Sequence, residues 1–397
     1  MKSSKRLEPI TSFIVMDVLE EALAMQRQGV DVVHMEVGEP DFPPPQPVVE
    51  AMHKALRDGR THYTHSLGLW ELREAVARWY HETYAVTVDP GRVIITPGTS
   101  GAFLNTMAVL LDPGDRLAMT DPGYPCYPNF ARLLCITPHL VPVEPEDGFV
   151  LRKERIARAV EEGAKVVMAA SPANPTGAVL PPDLLAFLCH LPVPFVSDEI
   201  YHGLCYGCRQ AACALQFSDD AIVINGLSKR MAMTGLRIGW AIVPGDLVRP
   251  FQKINQNVFI CPDSVSQYGA VTALSDPACQ EAARDMARVY GQRRLVLLNG
   301  LKKLGFVIHG EPEGAFYVFA DVSPFGLDGY DFAMALLREA HVAATPGVDF
   351  GGHHTQRFVR FAYTTDQARI EEGLARMGRF LERLADCRKT PGQGTAP

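Results

Sequence analysis

The chain of 397 residues is 47% hydrophobic and 21% charged, with a mean hydropathy of +0.01, a balance that excludes disordered, fibrous and membrane-embedded proteins. At roughly 150 residues per domain, two domains are expected. The net charge of −7 leaves no positive excess to neutralise a phosphate backbone, so nucleic acid is not an expected partner. Residues 1–10 lack the apolar core of a signal peptide, and no apolar run approaches the ~20 residues that span a bilayer. We therefore expect a cytoplasmic protein without a membrane partner.

Nine cysteines are spread along the chain, an odd number at low density that is not typical of a disulfide-bonded secreted domain. Cys205, Cys208 and Cys213 lie close in sequence, and the first two have CxxC spacing. Because no second pair follows, a fortuitous loop cluster is favoured over a zinc or redox site. No metal is therefore predicted.

The N-terminal segment combines a helix with an irregular stretch. Apolar residues at helical spacing predict a helix over residues 14–28, which Gly29 ends. A short strand is predicted over residues 32–37, and it runs into the sequence GEPDFPPP, whose glycine and prolines exclude regular structure. We interpret residues 1–45 as a segment that crosses a domain junction and packs with a small domain.

The middle of the chain predicts an α/β domain. Short apolar runs rich in β-branched residues alternate with helical patterns, at residues 92–96, 116–120, 139–143, 165–169, 195–197, 222–225 and 240–243. Such alternation is typical of βαβ units that build a mostly parallel sheet between helices. We assign residues 46–282 to this large domain.

The remainder predicts a smaller α+β domain over residues 283–388. A long amphipathic helix is predicted over residues 279–304, strands near residues 306–309, 315–320 and 358–363, and a last helix over residues 367–385. The tail, residues 389–397, is polar with glycine and proline, so we expect it to be disordered.

Polar residues that could carry out chemistry follow directly after predicted strands, where open parallel sheets bind ligands. The sequence contains no GxGxxG, GxxxxGK[ST], HExxH or GxSxG motif. After the first strand of the large domain stands PGTSG at residues 97–101. Its small residues, its hydroxyls and a helix N-terminus could hold a phosphate, although a turn with a helix cap explains the same pattern.

Three further loops follow later strands: SPANPTG at residues 171–177, SDEIY at residues 197–201, and NGLSK at residues 225–229, continued by TGLRIG at residues 234–239. Taken singly, they are explained by a turn, a helix cap and a solvated lysine. Taken together, they place a carboxylate, a phenol, an amide, an amine and a guanidinium beside the phosphate cradle. Pyridoxal phosphate needs such a set of partners.

With these motifs the sequence resembles the aspartate aminotransferase family, the class I and II aminotransferases, over residues 14–380. These are fold-type I enzymes that use pyridoxal phosphate. The resemblance implies a large domain with a seven-stranded, mostly parallel sheet between helices, and a small α+β domain.

The resemblance also implies roles for individual residues. Lys229 matches the lysine that forms the Schiff base with the cofactor and shuttles the proton, and Asp198 matches the partner of the pyridine nitrogen. Tyr201 and Asn174 match donors to the ring oxygen, and Tyr124 matches the aromatic side chain stacked on the ring. Lys229, Asp198 and Tyr201 are therefore the expected catalytic residues.

A phosphate site is implied in the same way. Gly98, Thr99 and Ser100 match the phosphate loop of the family, and Ser228 and Arg237 match two further phosphate ligands.

Substrate and subunit contacts complete the expected site. Gly38, Asn174 and Arg360 match the substrate-binding residues of the family, with Arg360 as the arginine that binds the α-carboxylate. Without the resemblance, Arg360 would be interpreted as facing solvent. Tyr63 matches the tyrosine that reaches the phosphate of the other subunit, so a homodimer is expected. Phe13 and His65 are expected at the side-chain pocket.

The main hypothesis is an aminotransferase that works by a ping-pong mechanism. An amino acid becomes an oxo acid, and a second oxo acid then becomes an amino acid. A carbon–sulfur β-lyase of the same fold is the alternative, because its cofactor residues would be the same. A regulator that binds the cofactor is disfavoured, since the chain has no added DNA-binding region. The donor stays open, although the lack of a lysine at Ser100 or Gly101 disfavours aspartate.

Overall fold

The computed structural model describes residues 3–207 and 210–389, with the backbone alone for residues 387–389. Cys208 of the cysteine cluster lies outside the described residues, as does the tail from residue 390 onward. Within the described ranges, no helix has both the length and the apolar character needed to cross a bilayer.

The α-helices of the described chain include the three predicted over residues 14–28, 279–304 and 367–385, within four residues at each end. They are α1 (Ile14–Arg27), α2 (Gln46–Arg57), α3 (Trp70–Tyr84), α4 (Gly98–Leu110), α5 (Cys126–Leu133), α6 (Lys153–Glu161), α7 (Pro182–Cys189), α8 (Val248–Val258), α9 (Ser264–Ser275), α10 (Pro277–Lys303), α11 (Gly329–Ala340) and α12 (Gln367–Lys389). Carboxylates fix several starts: Asp263, Asp276 and Asp328 each accept an N–H group from the first turn of the helix that follows.

The strands are β1 (Val33–His34), β2 (Val93–Pro97), β3 (Arg116–Asp121), β4 (Thr137–Pro142), β5 (Ala164–Ala170), β6 (Phe195–Asp198), β7 (Ile222–Gly226), β8 (Ile238–Ile242), β9 (Tyr317–Asp321), β10 (Val342–Ala343), β11 (Thr345–Pro346) and β12 (Phe358–Ala362). The expected strand at residues 306–309 is reduced to an isolated bridge between Val307 and Asp321.

A seven-stranded sheet in the described chain has the order β2-β8-β7-β6-β5-β3-β4, and only β8 runs antiparallel to its neighbours. Alternate side chains of its strands enter different cores: Val93 and Ile95 pack with α3, whereas Ile94 packs with α4 on the other face. Helices therefore cover both faces. Because β2 and β7 both pair antiparallel with β8, the carboxyl ends of β2, β3, β5, β6 and β7 share one edge.

A second sheet, β11-β12-β9, is antiparallel and packs with α10, α11 and α12 around a separate core. The N-terminal segment joins this region, since Val33 of β1 pairs with Val342 of β10. The strand expected over residues 32–37 is only two residues long. It ends because Met35 turns its carbonyl to the N–H of Ala362, at 2.7 Å. The boundaries at residues 45 and 282 stay predictions.

Candidate active site

A cavity of about 260 Å³ opens at the shared edge of the large sheet, between that sheet and β12. Many of the predicted site residues line it: Gly38, Thr99, Tyr124, Asn174, Asp198, Tyr201, Lys229 and Arg360. Groups from the loops after β2, β5, β6 and β7 thus meet one another, as the strand order requires.

Lys229 lies in the loop after β7 and points toward the N-terminal segment. Its Nζ donates to the carbonyl oxygen of Gly38 at 2.8 Å and lies 5.9 Å from the ring centroid of Phe316. Burial lowers the pKa of Lys229 to about 8, and the positive charges of Arg360 and Arg237 act in the same direction. The amine is therefore neutral over a pH range in which an exposed lysine is charged.

Asp198 is the last residue of β6 and is only 4% exposed. The hydroxyl of Tyr127 donates to its Oδ2, and the N–H of Ile200 donates to Oδ1 at 3.1 Å. Burial raises the pKa of Asp198 to about 6, although both hydrogen bonds favour the charged form. The cavity therefore contains a carboxylate that would gain from a positively charged partner.

Arg360 lies in the middle of β12 and is 3% exposed. Its Nη1 donates to Oδ1 of Asn174 at 2.9 Å, and its Nη2 donates to the carbonyl oxygen of Glu36. The guanidinium carbon lies 4.2 Å from the ring centroid of Tyr317. Within the described chain, Nε has no hydrogen-bond partner and no carboxylate pairs with this side chain. A buried guanidinium without an anion is costly, so this end of the cavity suits a carboxylate ligand.

Tyr201 and Tyr317 both line the cavity, and their hydroxyl groups share a hydrogen bond of 2.7 Å. Burial raises the pKa of Tyr201 well above its ordinary value, so the phenol keeps its proton. Gly38 allows this arrangement, because a Cβ at that position would lie 1.8 Å from the hydroxyl oxygen of Tyr317.

The N-terminus of α4 forms the polar end of the site. Gly98 begins the helix directly after β2 with φ +69°, and no side chain caps the first turn. A Cβ at Gly98 would lie 2.4 Å from Nη2 of Arg237. Thr99 and Ser100 follow in the first turn, and the buried Ser228 lies after β7. Uncapped N–H groups beside a guanidinium are a suitable site for a phosphate.

Tyr63 and His65 lie away from the cavity, and Gly98, Ser100, Ser228 and Arg237 belong to the polar end described above without lining it. Tyr63 is 77% exposed, and His65 accepts the backbone N–H of Leu67 through Nδ1 at 3.2 Å. Phe13 does line the cavity, and its ring meets Tyr124 edge to face with centroids 6.3 Å apart. Tyr63 therefore does not line the cavity of its own chain.

Sequence reasoning missed three residues that fix the site. Tyr127 donates to Asp198, Tyr317 pairs with Tyr201, and Thr345 donates to the carbonyl of Glu36 at 2.9 Å. The rings of Tyr124 and Tyr127 lie 5.2 Å apart between centroids, but Tyr124 precedes α5, so helical spacing gave no signal that connects them.

Comparisons with known proteins agree with this geometry. The family model for aminotransferases of class I and II matches residues 30–377. The valine–pyruvate aminotransferase of Mycobacterium tuberculosis is 40% identical, over 94% of this chain and 97% of that protein. The aspartate/prephenate aminotransferase of Thermus thermophilus is 37% identical, over 96% of this chain and 99% of that protein. The crystal structure of an aminotransferase from Mycobacterium tuberculosis superposes with a TM-score of 0.93 at 39% identity, covering 96% of this chain and all of that one.

These similarities confirm the predicted fold, a fold-type I architecture with a mostly parallel seven-stranded sheet. The relatives are named as aminotransferases, so the carbon–sulfur lyase alternative is not favoured. The chain belongs to the class I and II aminotransferases, and it catalyses amino-group transfer between an amino acid and an oxo acid.

Proposed function

We propose that this aminotransferase uses pyridoxal phosphate, attached at Lys229, to move the amino group of an L-amino acid to a 2-oxo acid. The observation that supports this most directly is the meeting of Lys229, Asp198 and Arg360 in one cavity. When bound, the cofactor supplies a ring that accepts the electrons left at the substrate's α-carbon. We also propose that the enzyme is a cytoplasmic homodimer.

The residues present fit this cofactor. The uncapped first turn of α4 beside Arg237 and Ser228 suits its phosphate. Asp198 suits a protonated pyridine nitrogen, because a cation there would pair with a buried carboxylate. The unpartnered Nε of Arg360 leaves donor capacity for the α-carboxylate of a substrate.

In this proposal Lys229 has two roles, as covalent anchor and as proton carrier. Because burial lowers the pKa of Lys229 to about 8, a useful fraction of the released amine is neutral near pH 7. A neutral Nζ can accept the proton from the substrate's α-carbon and can donate that proton again at a later step of the reaction. The carbonyl of Gly38, 2.8 Å away, orients that nitrogen.

Asp198 and Arg360 hold the two ends of the reacting system. Asp198 keeps a negative charge where the ring nitrogen would lie, with the hydroxyl of Tyr127 holding the carboxylate in place. Arg360 orients the substrate through its carboxylate, and Asn174 fixes the plane of the guanidinium.

Absorbance spectra test the cofactor assignment. Wild-type protein and the Lys229→Ala variant are measured before and after adding single amino acids, with no oxo acid present. We expect a visible band that amino acids bleach without releasing ammonia, that Lys229→Ala alters, and that the exposed-lysine control Lys54→Ala leaves unchanged. Release of pyruvate and ammonia would indicate the lyase instead. No bound chromophore, even after adding pyridoxal phosphate, would contradict the proposal.

Mixed dimers test the role of Tyr63. Its exposed side chain supports a contact with another subunit's phosphate site. Tyr63→Ala and Lys229→Ala chains are first expressed and assayed singly, and the two are then co-expressed to form mixed dimers. In a mixed dimer both changes fall on one site, so the other site is intact and activity rises above that of either variant. No gain in activity would contradict a shared site.

A further inference from the structure

A group of metal-ligand side chains lies between the two sheets, outside the active site. Glu144 follows β4 of the large sheet, whereas His353 and His354 lie in the loop between β11 and β12. Nε2 of His353 is 2.8 Å from Oε2 of Glu144, and Nε2 of His354 is 3.9 Å from the same oxygen. All three ligand atoms lie within 4.8 Å of one another. Two imidazoles therefore converge on one carboxylate oxygen.

The surrounding groups hold this convergence in place. His354 has φ +57°, a left-handed conformation that is uncommon for a residue with a side chain and is often found at functional sites. Arg155 donates to the other oxygen of Glu144 and, at 2.7 Å, to the carbonyl of Pro142. The second oxygen of Glu144, Oε2, therefore points toward His353 and His354. Carboxylates that bind metals are commonly oriented by such outer hydrogen bonds.

We propose that Glu144, His353 and His354 bind a divalent transition-metal ion, with Zn²⁺ as the best match. Zn²⁺ takes imidazole nitrogen and carboxylate oxygen at about 2.0–2.2 Å in tetrahedral geometry, which sets its ligand atoms about 3.3–3.5 Å apart. The observed 2.8 and 3.9 Å separations lie on either side of that spacing. The side chains of His353 and His354 are 26% and 48% exposed, so an ion can enter and a fourth position stays open to water.

Such an ion would connect the two sheets through a loop that also supports the active site. In that loop, Phe350 places its ring 4.7 Å from the guanidinium carbon of Arg360. Asp349 accepts the N–H of Ile14 at the start of α1, at 2.9 Å. Zn²⁺ bound beside them would restrain these contacts and raise the Tm.

The test is a titration of the purified full-length protein with ZnCl₂ in chelator-free buffer, followed by calorimetry. We expect one Zn²⁺ per chain, with the Kd raised at least tenfold in His354→Asn and in Glu144→Gln. His139→Asn is the matched control, because Nε2 of His139 lies 3.5 Å from the single carboxylate of Glu162 and should leave the Kd unchanged.

Two measurements keep the test independent of folding. Asparagine tolerates a left-handed backbone and His354 is half exposed, so circular dichroism of His354→Asn should match the wild type. Co²⁺ added to the wild-type protein should give visible absorption typical of nitrogen and oxygen ligation, with no variant involved. Equal Zn²⁺ affinity in the wild type and the Glu144→Gln/His354→Asn double variant would overturn the proposal, as would no Zn²⁺ or Co²⁺ binding at 100 μM, roughly the upper end of useful affinity.

Discussion

The hydroxyl oxygen of Tyr317 occupies space that a side chain on Gly38 would need, since a Cβ there would lie 1.8 Å from it. The same hydroxyl lies 2.7 Å from that of Tyr201, and the carbonyl of Gly38 accepts Nζ of Lys229 at 2.8 Å. One glycine thus allows two phenols and the reactive amine to lie together.

Gly38→Ala is therefore expected to displace Tyr317 and to lower kcat/KM about a hundredfold, since displacements near 1 Å in a site cost rate on that scale. The Tm should change less than the rate. Gly245→Ala is the control, because nothing lies within 4 Å of its added Cβ. Wild-type kcat/KM in Gly38→Ala would show that the close approach of Tyr317 to Gly38 is not needed for activity.

Arg360→Lys should raise KM for amino acid donors and lower kcat/KM by about 10²–10⁴, because two hydrogen bonds to a charged group contribute roughly 1.5–3 kcal/mol each. The introduced lysine is shorter and has a single nitrogen, so it cannot keep the hydrogen bond to Asn174 and bind a carboxylate at the same time. Arg357→Lys, on a side chain that is 32% exposed, serves as the control for steady-state kinetics. Equal losses in the two variants would argue against a substrate contact at Arg360.

Asp198→Asn should stop transamination yet remove a pH-dependent destabilisation of the cofactor-free fold. Burial raises the pKa of Asp198 from 3.8 to about 6, so the folded carboxyl keeps its proton to a higher pH than the unfolded one. The free energy of unfolding therefore falls as pH rises through that window, by about 3 kcal/mol at ~1.4 kcal/mol per pKa unit.

Thermal unfolding of cofactor-free wild type and Asp198→Asn, at pH 4 and at pH 8, measures this effect. The variant should gain stability relative to the wild type on going from pH 4 to pH 8. The same difference at both pH values would mean that the carboxyl does not titrate abnormally.

Tyr127→Phe should extend to higher pH the range over which the free energy of unfolding of the cofactor-free protein falls. The hydroxyl of Tyr127 donates to Asp198 and lowers its pKa, so its loss raises that pKa further. A hydrogen bond to a charged group contributes roughly 1.5–3 kcal/mol, which corresponds to about one to two pH units. Tyr330→Phe, at an exposed position, should leave that pH range unchanged. An unchanged range in Tyr127→Phe, measured by thermal unfolding of the cofactor-free protein across pH 4–8, would show that this hydroxyl does not control the pKa of Asp198.

The strand pattern predicted much of the site, because carboxyl ends of parallel strands share an edge. Asn174 and Lys229 follow β5 and β7, Asp198 is the last residue of β6, and all three line one cavity. Arg360 could be assigned only by resemblance, since every residue of β12 is buried and alternation there distinguishes no solvent face.

The residues that the sequence did not reveal lie inside regular elements or are joined only by tertiary contacts. Tyr127 in α5 and Tyr317 in β9 belong to no motif, and aromatic residues in such elements are typical of cores. Glu144 and His353 are separated by 209 positions, so no spacing rule connects them.

The cavity wall formed by Phe13, Val15 and Met16 comes from the start of α1. That helix has no side-chain cap of its own, and Asp349 holds its first N–H group instead. The reacting groups come from distant loops of the large sheet and from β12. The residues that form the cavity wall are therefore separate in sequence from the residues that react. Hybrids that exchange residues 13–16 between relatives would change which substrate side chain is accepted and would retain Lys229, Asp198 and Arg360.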